Sequence, residues 1–228
     1  MSGNHIRVWD IFVRLFHWLL VAVISFAWWT AEQGGDWMEW HKRCGYTVLG
    51  LVIFRVLWGF AGTAYARFSH FIYSPKATFA YLAAILKGRE PLYLSHNPLG
   101  GWAVVVLLLW CTLQAGTGLF ANDDILTEGP LVHLVGYDLS IEITRWHKLL
   151  FDGLLIIVAV HIAAVLYHQL LRKEPLLQGM LTGNKAAGHS HNQAADRVSV
   201  AVSAGWLWLK GLALAAIAAA SVWGLISL

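Results

Sequence analysis

Five long apolar segments, separated by polar stretches, dominate the pattern of hydrophobic positions along this chain. Each segment is long enough to cross a hydrocarbon core of about 30 Å, which takes about 20 helical residues. The pattern predicts five transmembrane helices, near residues 12–31, 44–63, 102–121, 148–171 and 206–227. A polar, arginine-containing lead precedes the first segment and no small-residue cleavage site follows it, so we expect a retained span and not a removed signal peptide.

A shorter apolar segment lies between the second and third predicted spans. Ser74 and Pro75 are typical of a helix N-cap and first helical position, and Gly88 is typical of a helix end. We therefore expect a helix near residues 75–87. Its strongly apolar composition predicts that it lies on the membrane surface.

A polar stretch rich in Gly, Asn and Gln divides the chain near its end. We interpret residues 182–205 as a cytoplasmic linker. The linker separates a four-helix core, residues 1–181, from a fifth transmembrane helix, residues 206–228. The predicted fold class is an all-α membrane protein, a four-helix transmembrane bundle with an additional C-terminal helix.

Composition supports the membrane interpretation. Of the 228 residues, 58% are hydrophobic and 13% are charged, whereas soluble domains carry about 25% charged residues. A water-soluble enzyme is excluded, and a net charge of +3 gives no reason to expect nucleic acid as a partner. The two cysteines, Cys44 and Cys111, form no CxxC or CxxCH motif. The sequence therefore predicts neither a disulfide framework nor covalently attached haem.

The distribution of charge predicts the topology. The positive-inside rule places loops rich in Lys and Arg in the cytoplasm. That rule puts the N-terminus in the cytoplasm and the C-terminus outside, which in a Gram-negative bacterium means the periplasm. The basic segments hold Arg7, Arg14, Arg67, Lys76, Lys87, Arg89, Arg172, Lys173, Lys185 and Arg197, and the acidic loops hold Glu32, Asp36, Glu39, Asp123, Asp124, Glu128, Asp138 and Glu142.

Four of the 11 histidines lie in or at the ends of the apolar spans. His147 and His161 are 14 residues apart on the fourth span, so at about 100° and 1.5 Å per residue they share a face and lie about 21 Å apart. His41 lies at the outer end of the second span and His17 near the inner end of the first. Each membrane level therefore offers two histidines from different helices.

Two facing imidazoles can bind a flat macrocycle axially, because each neutral ring offers one nitrogen lone pair. Pairing His41 with His147 and His17 with His161 predicts two bis-histidine b haems stacked across the membrane. A tetrahedral zinc site is disfavoured, since its ligands must converge on one point. The alternative is that these histidines are isolated, hydrogen-bonded residues at helix ends.

Two arginines accompany these histidines. Arg14 is three residues before His17 and shares its face, and Arg55 is 14 residues after His41 on the same stripe. Both are candidates to bind the propionates of the inner haem. The alternative is that their side chains extend to the membrane surface from helix ends.

Several motifs resemble those of the bacterial cytochrome b561 and nickel-iron hydrogenase b-type cytochrome family. The resemblance covers roughly residues 8–183, with the motifs in the family's order. It implies a four-helix core that binds two b haems through histidines on the first, second and fourth spans, here His17, His41, His147 and His161. The motifs are VWDIFVRLFHW from Val8, HKRCGYTVLGLVIFRVLWG from His41, YLSHNPLGG from Tyr93, and the segment from Arg145 to His161.

The resemblance also implies a function. Family members look like electron conduits between membrane quinone and a partner redox protein, so we expect the bacterial inner membrane, quinol or quinone as substrate and a c-type cytochrome or other extracytoplasmic redox protein as partner. The resemblance implies no catalytic side chain. It leaves open whether the chain is an enzyme, a quinol:cytochrome oxidoreductase. The fifth span departs from minimal four-helix members. A subunit of a hydrogenase or dehydrogenase complex, and a haem-free membrane anchor, are the alternatives.

Overall fold

The computed structural model describes residues 5–89, 91–124, 127–186 and 203–228. Most of the described residues are helical, and two short strands form the described sheet. The centre of the predicted linker, residues 187–202, lies outside the described residues. In chain order the elements are β1 (His5–Arg7), α1 (Ile11–Gln33), α2 (Trp37–Ala61), a 3₁₀ turn (Ala64–Ala66), α3 (Phe68–Phe71), α4 (Pro75–Leu86), α5 (Pro98–Gly118), α6 (Val132–Val135), α7 (Tyr137–Leu166), a π-helical turn (Tyr167–Leu171), α8 (Leu176–Thr182), β2 (Asn184–Ala186) and α9 (Ala204–Ile226).

Five helices of the described chain are long and apolar enough to cross a membrane. They are α1, α2, α5, α7 with its π-helical turn, and α9. The predicted all-α membrane fold with five spans is therefore confirmed. Ser74 caps α4 as predicted, because its hydroxyl accepts a hydrogen bond from the backbone N–H of Ala77 at 3.3 Å.

All five spans begin earlier than the apolar segments that predicted them, and the difference is largest for α2 and α7. Helix α2 begins at Trp37 and α7 at Tyr137, so Glu39, Asp138 and Glu142 are helical residues and not loop residues. Hydropathy marks only the apolar part of a helix. Ion pairs such as Glu39 with Lys42, at 3.0 Å, stabilise a helical turn that water or headgroups surround.

The described chain groups into two compact units. The first contains Met1–Leu15, Leu57–Val106 and Ala159–Gly211. Asp10 is a buried polar residue of this unit. One carboxylate oxygen of Asp10 caps α1 by accepting from the N–H groups of Phe12 and Val13 at 2.9 and 3.0 Å, and the other accepts from Trp58 Nε1 at 3.0 Å and from the hydroxyl of Thr63. Asp10 therefore ties the start of α1 to the end of α2.

The chain after the fourth span packs against the N-terminal segment, also within the first unit. Strands β1 and β2 pair antiparallel, with Ile6 opposite Lys185. The N–H groups of Val8 and Trp9 donate to the carbonyl of Gly183 at 2.8 and 3.1 Å. The start of α9 joins this packing, because the rings of Phe12 and Trp208 lie 5.0 Å apart.

The second unit contains Phe16–Val56, Leu107–Val158 and Leu212–Leu228. Within it, α5 lies close to α7, since the indole N–H of Trp110 donates to the carbonyl of Leu150 at 2.7 Å. The absence of a side chain at Gly153 makes room for that indole, because a Cβ there would lie 2.4 Å from Trp110. The second half of α9 contacts α2, where a Cβ at Gly50 would lie 3.7 Å from Val222.

Candidate functional site

The second unit brings two of the predicted ligands together. His41, in the first turns of α2, and His147, in α7, have ring centroids 6.1 Å apart and ring planes at 86° to each other. Both side chains are half-buried. These rings come from different helices and lie 106 positions apart in the sequence, so the fold, and not local spacing, brings them together.

The distance between these rings fits a six-coordinate metal macrocycle. A bond of about 2 Å joins a metal to an imidazole nitrogen, so two imidazoles on opposite sides of one iron would have centroids about 6 Å apart. The observed 6.1 Å matches that separation. A direct hydrogen bond between the two rings would bring them closer than this. The residues present therefore fit a bis-histidine haem.

The hydrogen bonds of His41 leave one nitrogen for a metal. Its Nδ1 lies 2.9 Å from the carbonyl oxygen of Ala27 in α1. A carbonyl only accepts, so Nδ1 carries the proton and Nε2 keeps its lone pair. Donation from the other ring N–H to a backbone carbonyl is the usual second contact of a metal-bound histidine.

The surroundings of His147 come from α5. The hydroxyl oxygen of Thr117 lies 3.1 Å from its Nδ1, and the amide nitrogen of Gln114 lies 3.3 and 3.2 Å from Nδ1 and Nε2. Gly118 lets the helix approach the ring, because a Cβ there would lie 3.1 Å from Cε1 of His147. One turn of α5 therefore holds the His147 ring.

The other two predicted ligands lie on spans but in different units. His17 belongs to the second unit, where it is half-buried in α1 with its ring centroid 4.8 Å from that of Trp18. His161 belongs to the first unit, where it is half-buried in α7. Their role as a pair of axial ligands stays a prediction.

The two arginines differ in their surroundings. Arg14, in α1, donates from its guanidinium to the backbone carbonyl of Leu181 at the end of α8. Arg55, in α2, is 3% exposed. Its side chain is therefore largely covered by the protein. Binding of haem propionates stays a prediction for both residues.

His168 has a protein partner. Its Nδ1 lies 2.8 Å from a carboxylate oxygen of Glu174, and both side chains are 11% exposed. The π-helical turn at Tyr167–Leu171 ends the fourth span here and lets the chain fold back on itself. This ion-pair geometry is a sufficient structural role for His168.

Sequence reasoning did not identify Ala27, Gln114 or Thr117 as neighbours of the site. The carbonyl of Ala27 leaves no signal in the side-chain sequence. Gln114 and Thr117 do leave one, because they are three residues apart in an apolar span and polar residues on one face of a span mark an internal contact. That signal gives the face but not the partner.

Comparisons with known proteins identify the family of the chain. The family model for prokaryotic cytochrome b561 matches residues 8–183, and the chain belongs to that family. It is 24% identical over 164 residues to a probable Ni/Fe-hydrogenase B-type cytochrome subunit of Bradyrhizobium diazoefficiens. The match covers 64% of this chain and 64% of that relative. No solved structure matches the chain.

Family membership defines the class. The chain is a multi-pass membrane b-type cytochrome, and the family implies haem b and electron transfer. The resemblance to this family that the sequence motifs indicate is confirmed.

Proposed function

We propose that this chain binds two b haems, an outer one through His41 and His147 and an inner one through His17 and His161. It then carries electrons between the quinone pool and an extracytoplasmic redox protein such as a c-type cytochrome. The observation that supports the proposal is the pair of imidazoles at 6.1 Å, each with a second contact on Nδ1. The family's electron-transfer role supports the rest.

The side chains perform two tasks in this proposal. Haem, when bound, supplies one-electron iron chemistry. The four histidines would hold the irons, two histidines to each haem, and haem held by two protein ligands would supply electron transfer and not oxygen or substrate chemistry. Arg55, buried in α2, and Arg14, at the start of α1, are proposed to bind propionates, because a carboxylate inside the membrane needs a cation beside it.

The proposed orientation places the N-terminus in the cytoplasm of a bacterial inner membrane. The support is the charge of the segment between α2 and α5, which carries Arg67, Lys76, Lys87 and Arg89. Reporter fusions after Gly88 are expected to report the cytoplasm, and fusions after Gly35 or Gly136 the outside. The opposite pattern would invert the assignment of outer and inner haem.

Haem content tests the proposal. A pyridine haemochrome assay on the purified chain should count two non-covalent haems. His41→Ala and His147→Ala should each remove one haem, and His17→Ala and His161→Ala the other, because each change takes an axial ligand from one iron. His133→Ala, at an exposed histidine of α6, is the control and should keep both. A wild-type count near zero would leave the haem-free membrane anchor.

A second candidate function has one observation in its favour. The relative from Bradyrhizobium carries the name of a Ni/Fe-hydrogenase B-type cytochrome subunit, so a role as the membrane cytochrome of a hydrogenase or dehydrogenase is the alternative. The first proposal expects quinol analogues to reduce the haems of the isolated chain. Haems that quinol reduces only when a catalytic subunit co-purifies from native membranes would favour the second.

A further inference from the structure

Thr117 has a hydrogen-bond arrangement that fixes what its oxygen can do. The hydroxyl oxygen lies 2.8 Å from the carbonyl of Leu113 and 3.0 Å from that of Gln114. Both carbonyls are acceptors and both lie nearer to the hydroxyl than His147 Nδ1 does, so we assign the single hydroxyl proton to the backbone of α5. The lone pairs of the oxygen are then left for His147 Nδ1, which lies 3.1 Å away. Thr117 therefore donates to the backbone of α5 and accepts from His147.

An accepting oxygen at Nδ1 determines the tautomer of His147. Nδ1 must carry the proton in order to donate to Thr117, and the lone pair of the neutral ring then lies on Nε2. Gln114 does not make this choice, because its amide nitrogen lies 3.3 and 3.2 Å from the two ring nitrogens. That amide also lies 3.1 Å from the carbonyl of His147, to which it donates.

The two histidines of the site differ in how their tautomers are set. His41 donates to a backbone carbonyl, that of Ala27, which no side-chain substitution removes. With the hydroxyl proton of Thr117 assigned to the backbone, His147 donates to a side-chain hydroxyl. The second contact of a metal-bound histidine raises the basicity of the nitrogen that binds the metal. Thr117 is therefore the side chain through which the protein adjusts the electron-donating strength of His147.

We propose that Thr117 is a positioning residue for the outer haem, which keeps His147 in the Nδ1–H tautomer and lowers the reduction potential of that haem. The inference rests on the proposed assignment of His41 and His147 as axial ligands. A hydrogen-bonded imidazole donates more strongly and stabilises the ferric state over the ferrous state. Removal of the hydroxyl should therefore raise the potential of one haem and leave the other unchanged.

Thr117→Val tests the role with little change in shape. Thr112→Val is the matched control, because the hydroxyl of Thr112 also donates to a backbone carbonyl of α5, that of Leu108, at 2.8 Å. Thr117→Ser restores the hydroxyl. Each variant is purified with its haems and titrated potentiometrically by the haem α-band, and the low-spin ferric EPR signals are recorded. We expect a higher potential and a displaced EPR signal for one haem in Thr117→Val, and wild-type values in Thr112→Val and Thr117→Ser.

The outcomes separate this inference from the proposed function. Thr117→Val with both haems, wild-type potentials and wild-type EPR signals overturns the positioning role while the ligand assignment stands. Equal shifts in Thr117→Val and Thr112→Val also overturn it, since they report a change in α5 and not in His147. Loss of one haem from Thr117→Val alone, with retention in Thr117→Ser, supports the role. Retention of both haems by His147→Ala overturns the ligand assignment itself.

Discussion

At the scale of single residues, Gly118 and Gly116 make an informative pair on α5. A Cβ at Gly118 would lie 3.1 Å from Cε1 of His147, whereas a Cβ at Gly116 would meet no atom of the described residues within 4 Å beyond its own helix. Alanine favours a helix interior over glycine by about 1 kcal/mol, which applies at Gly116 and less at Gly118, the last residue of α5. The two substitutions differ chiefly in the contact with the imidazole.

Gly118→Ala is predicted to loosen the outer haem. The added methyl group has to displace the His147 ring by a few tenths of an ångström, and such overpacking typically costs about 1–3 kcal/mol. We expect faster transfer of one haem to apomyoglobin in Gly118→Ala, by about tenfold for each 1.4 kcal/mol of weakened binding. Gly116→Ala is the control and should release haem at the wild-type rate. Equal rates in all three proteins would contradict the prediction.

The sequence predicted the histidines of the site better than their surroundings. His41 and His147 were identified because a titratable side chain is rare in an apolar span, and they lie together in the structure. Thr117 and Ala27 were not identified, since their hydrogen bonds to the site depend on which of their atoms face the imidazole rings. A sequence pattern gives the face of a helix, but the choice between Nδ1 and Nε2 depends on distances of about 3 Å.

At the scale of elements, the pairing of β1 with β2 buries a charge. Lys185 is 4% exposed and its ammonium lies 5.0 Å from the centre of the Trp9 ring. Burial lowers the pKa of Lys185 to about 8 from its ordinary 10.5, and the negative charge of Glu174 acts in the opposite direction. The protonated lysine therefore opposes the packing of this strand.

We predict that the strand pair becomes more stable as the pH rises above about 8. Between pH 8 and 10.5 the separated state binds more protons than the paired state, so the free energy of pairing becomes more favourable as the pH rises. Below about pH 8 the lysine is protonated in both states, and the stability of the pair no longer changes with pH. The open population should fall by up to about tenfold per pH unit. Hydrogen exchange at Ile6 and Lys185, corrected for intrinsic rates, measures it.

Lys185→Met provides the control for this pH dependence. Methionine keeps an unbranched apolar side chain over Trp9 but has no titratable group, so its open population should not change between pH 8 and 10. A variant that follows the wild-type curve would assign the effect to another group. A flat wild-type curve would show that the charge of Lys185 does not oppose pairing.

Helix α4 has opposite faces of different character. Tyr81 is buried with its ring centroid 5.6 Å from that of Tyr93. On the other face Phe79 and Leu86 are 71% and 82% exposed. Lys76 and Lys87 flank this face at the two ends of the helix. An apolar face between lysines is typical of a helix that lies in the headgroup region of an anionic bilayer.

We predict that Phe79 and Leu86 lie below the lipid headgroups. Spin labels at Phe79→Cys or Leu86→Cys, in a chain with Cys44 and Cys111 replaced by serine, should be more accessible to oxygen than to a nickel chelate in bilayers that contain anionic lipid. A label at Lys87→Cys is the matched control and should show the reverse. Greater accessibility to nickel at Phe79 and Leu86 would place α4 in water.

The elements were largely predictable because each apolar segment is long enough for only one structure in a membrane. The ends of the helices were less predictable. Helix α7 extends from Tyr137 and α2 from Trp37, since a helix continues past the apolar segment where ion pairs such as Glu142 with Arg145, at 3.1 Å, satisfy its polar surface. Hydropathy does not record these pairs.

At the scale of the whole molecule, the fifth helix belongs to the packed structure. Within the first unit a Cβ at Gly211 would overlap the ring of Phe12, and within the second unit Val222 lies against Gly50. Ala218 and Val222 are buried. The sequence predicted α9 only as a transmembrane helix that follows a polar linker. Its contacts with α1 and α2 depend on small residues whose partners lie far along the chain, so hydropathy alone did not predict them.

The acidic residues between α5 and α7 offer a surface for a redox partner. Asp123, Asp124 and Glu128 are exposed. They are also fixed in place, because Asp123 accepts from the N–H of Thr127 at 2.7 Å, Asp124 accepts from the hydroxyl of Tyr137, and Glu128 accepts from the amide of Asn122 at 3.3 Å. A fixed group of carboxylates produces a local negative potential that attracts a basic patch.

We predict that electron transfer to a basic c-type cytochrome slows as salt is added. Ions screen charges over about 10 Å at 0.1 M ionic strength, so steering by the loop carboxylates should weaken and lower the bimolecular rate of reoxidation. Stopped-flow reoxidation of the quinol-reduced protein at several ionic strengths measures the slope. The triple variant Asp123→Asn, Asp124→Asn, Glu128→Gln should flatten it, and an acidic acceptor should show the opposite slope. If the basic acceptor reacts at one rate at every ionic strength, these carboxylates do not steer a partner, and their role is confined to the loop that they hold together.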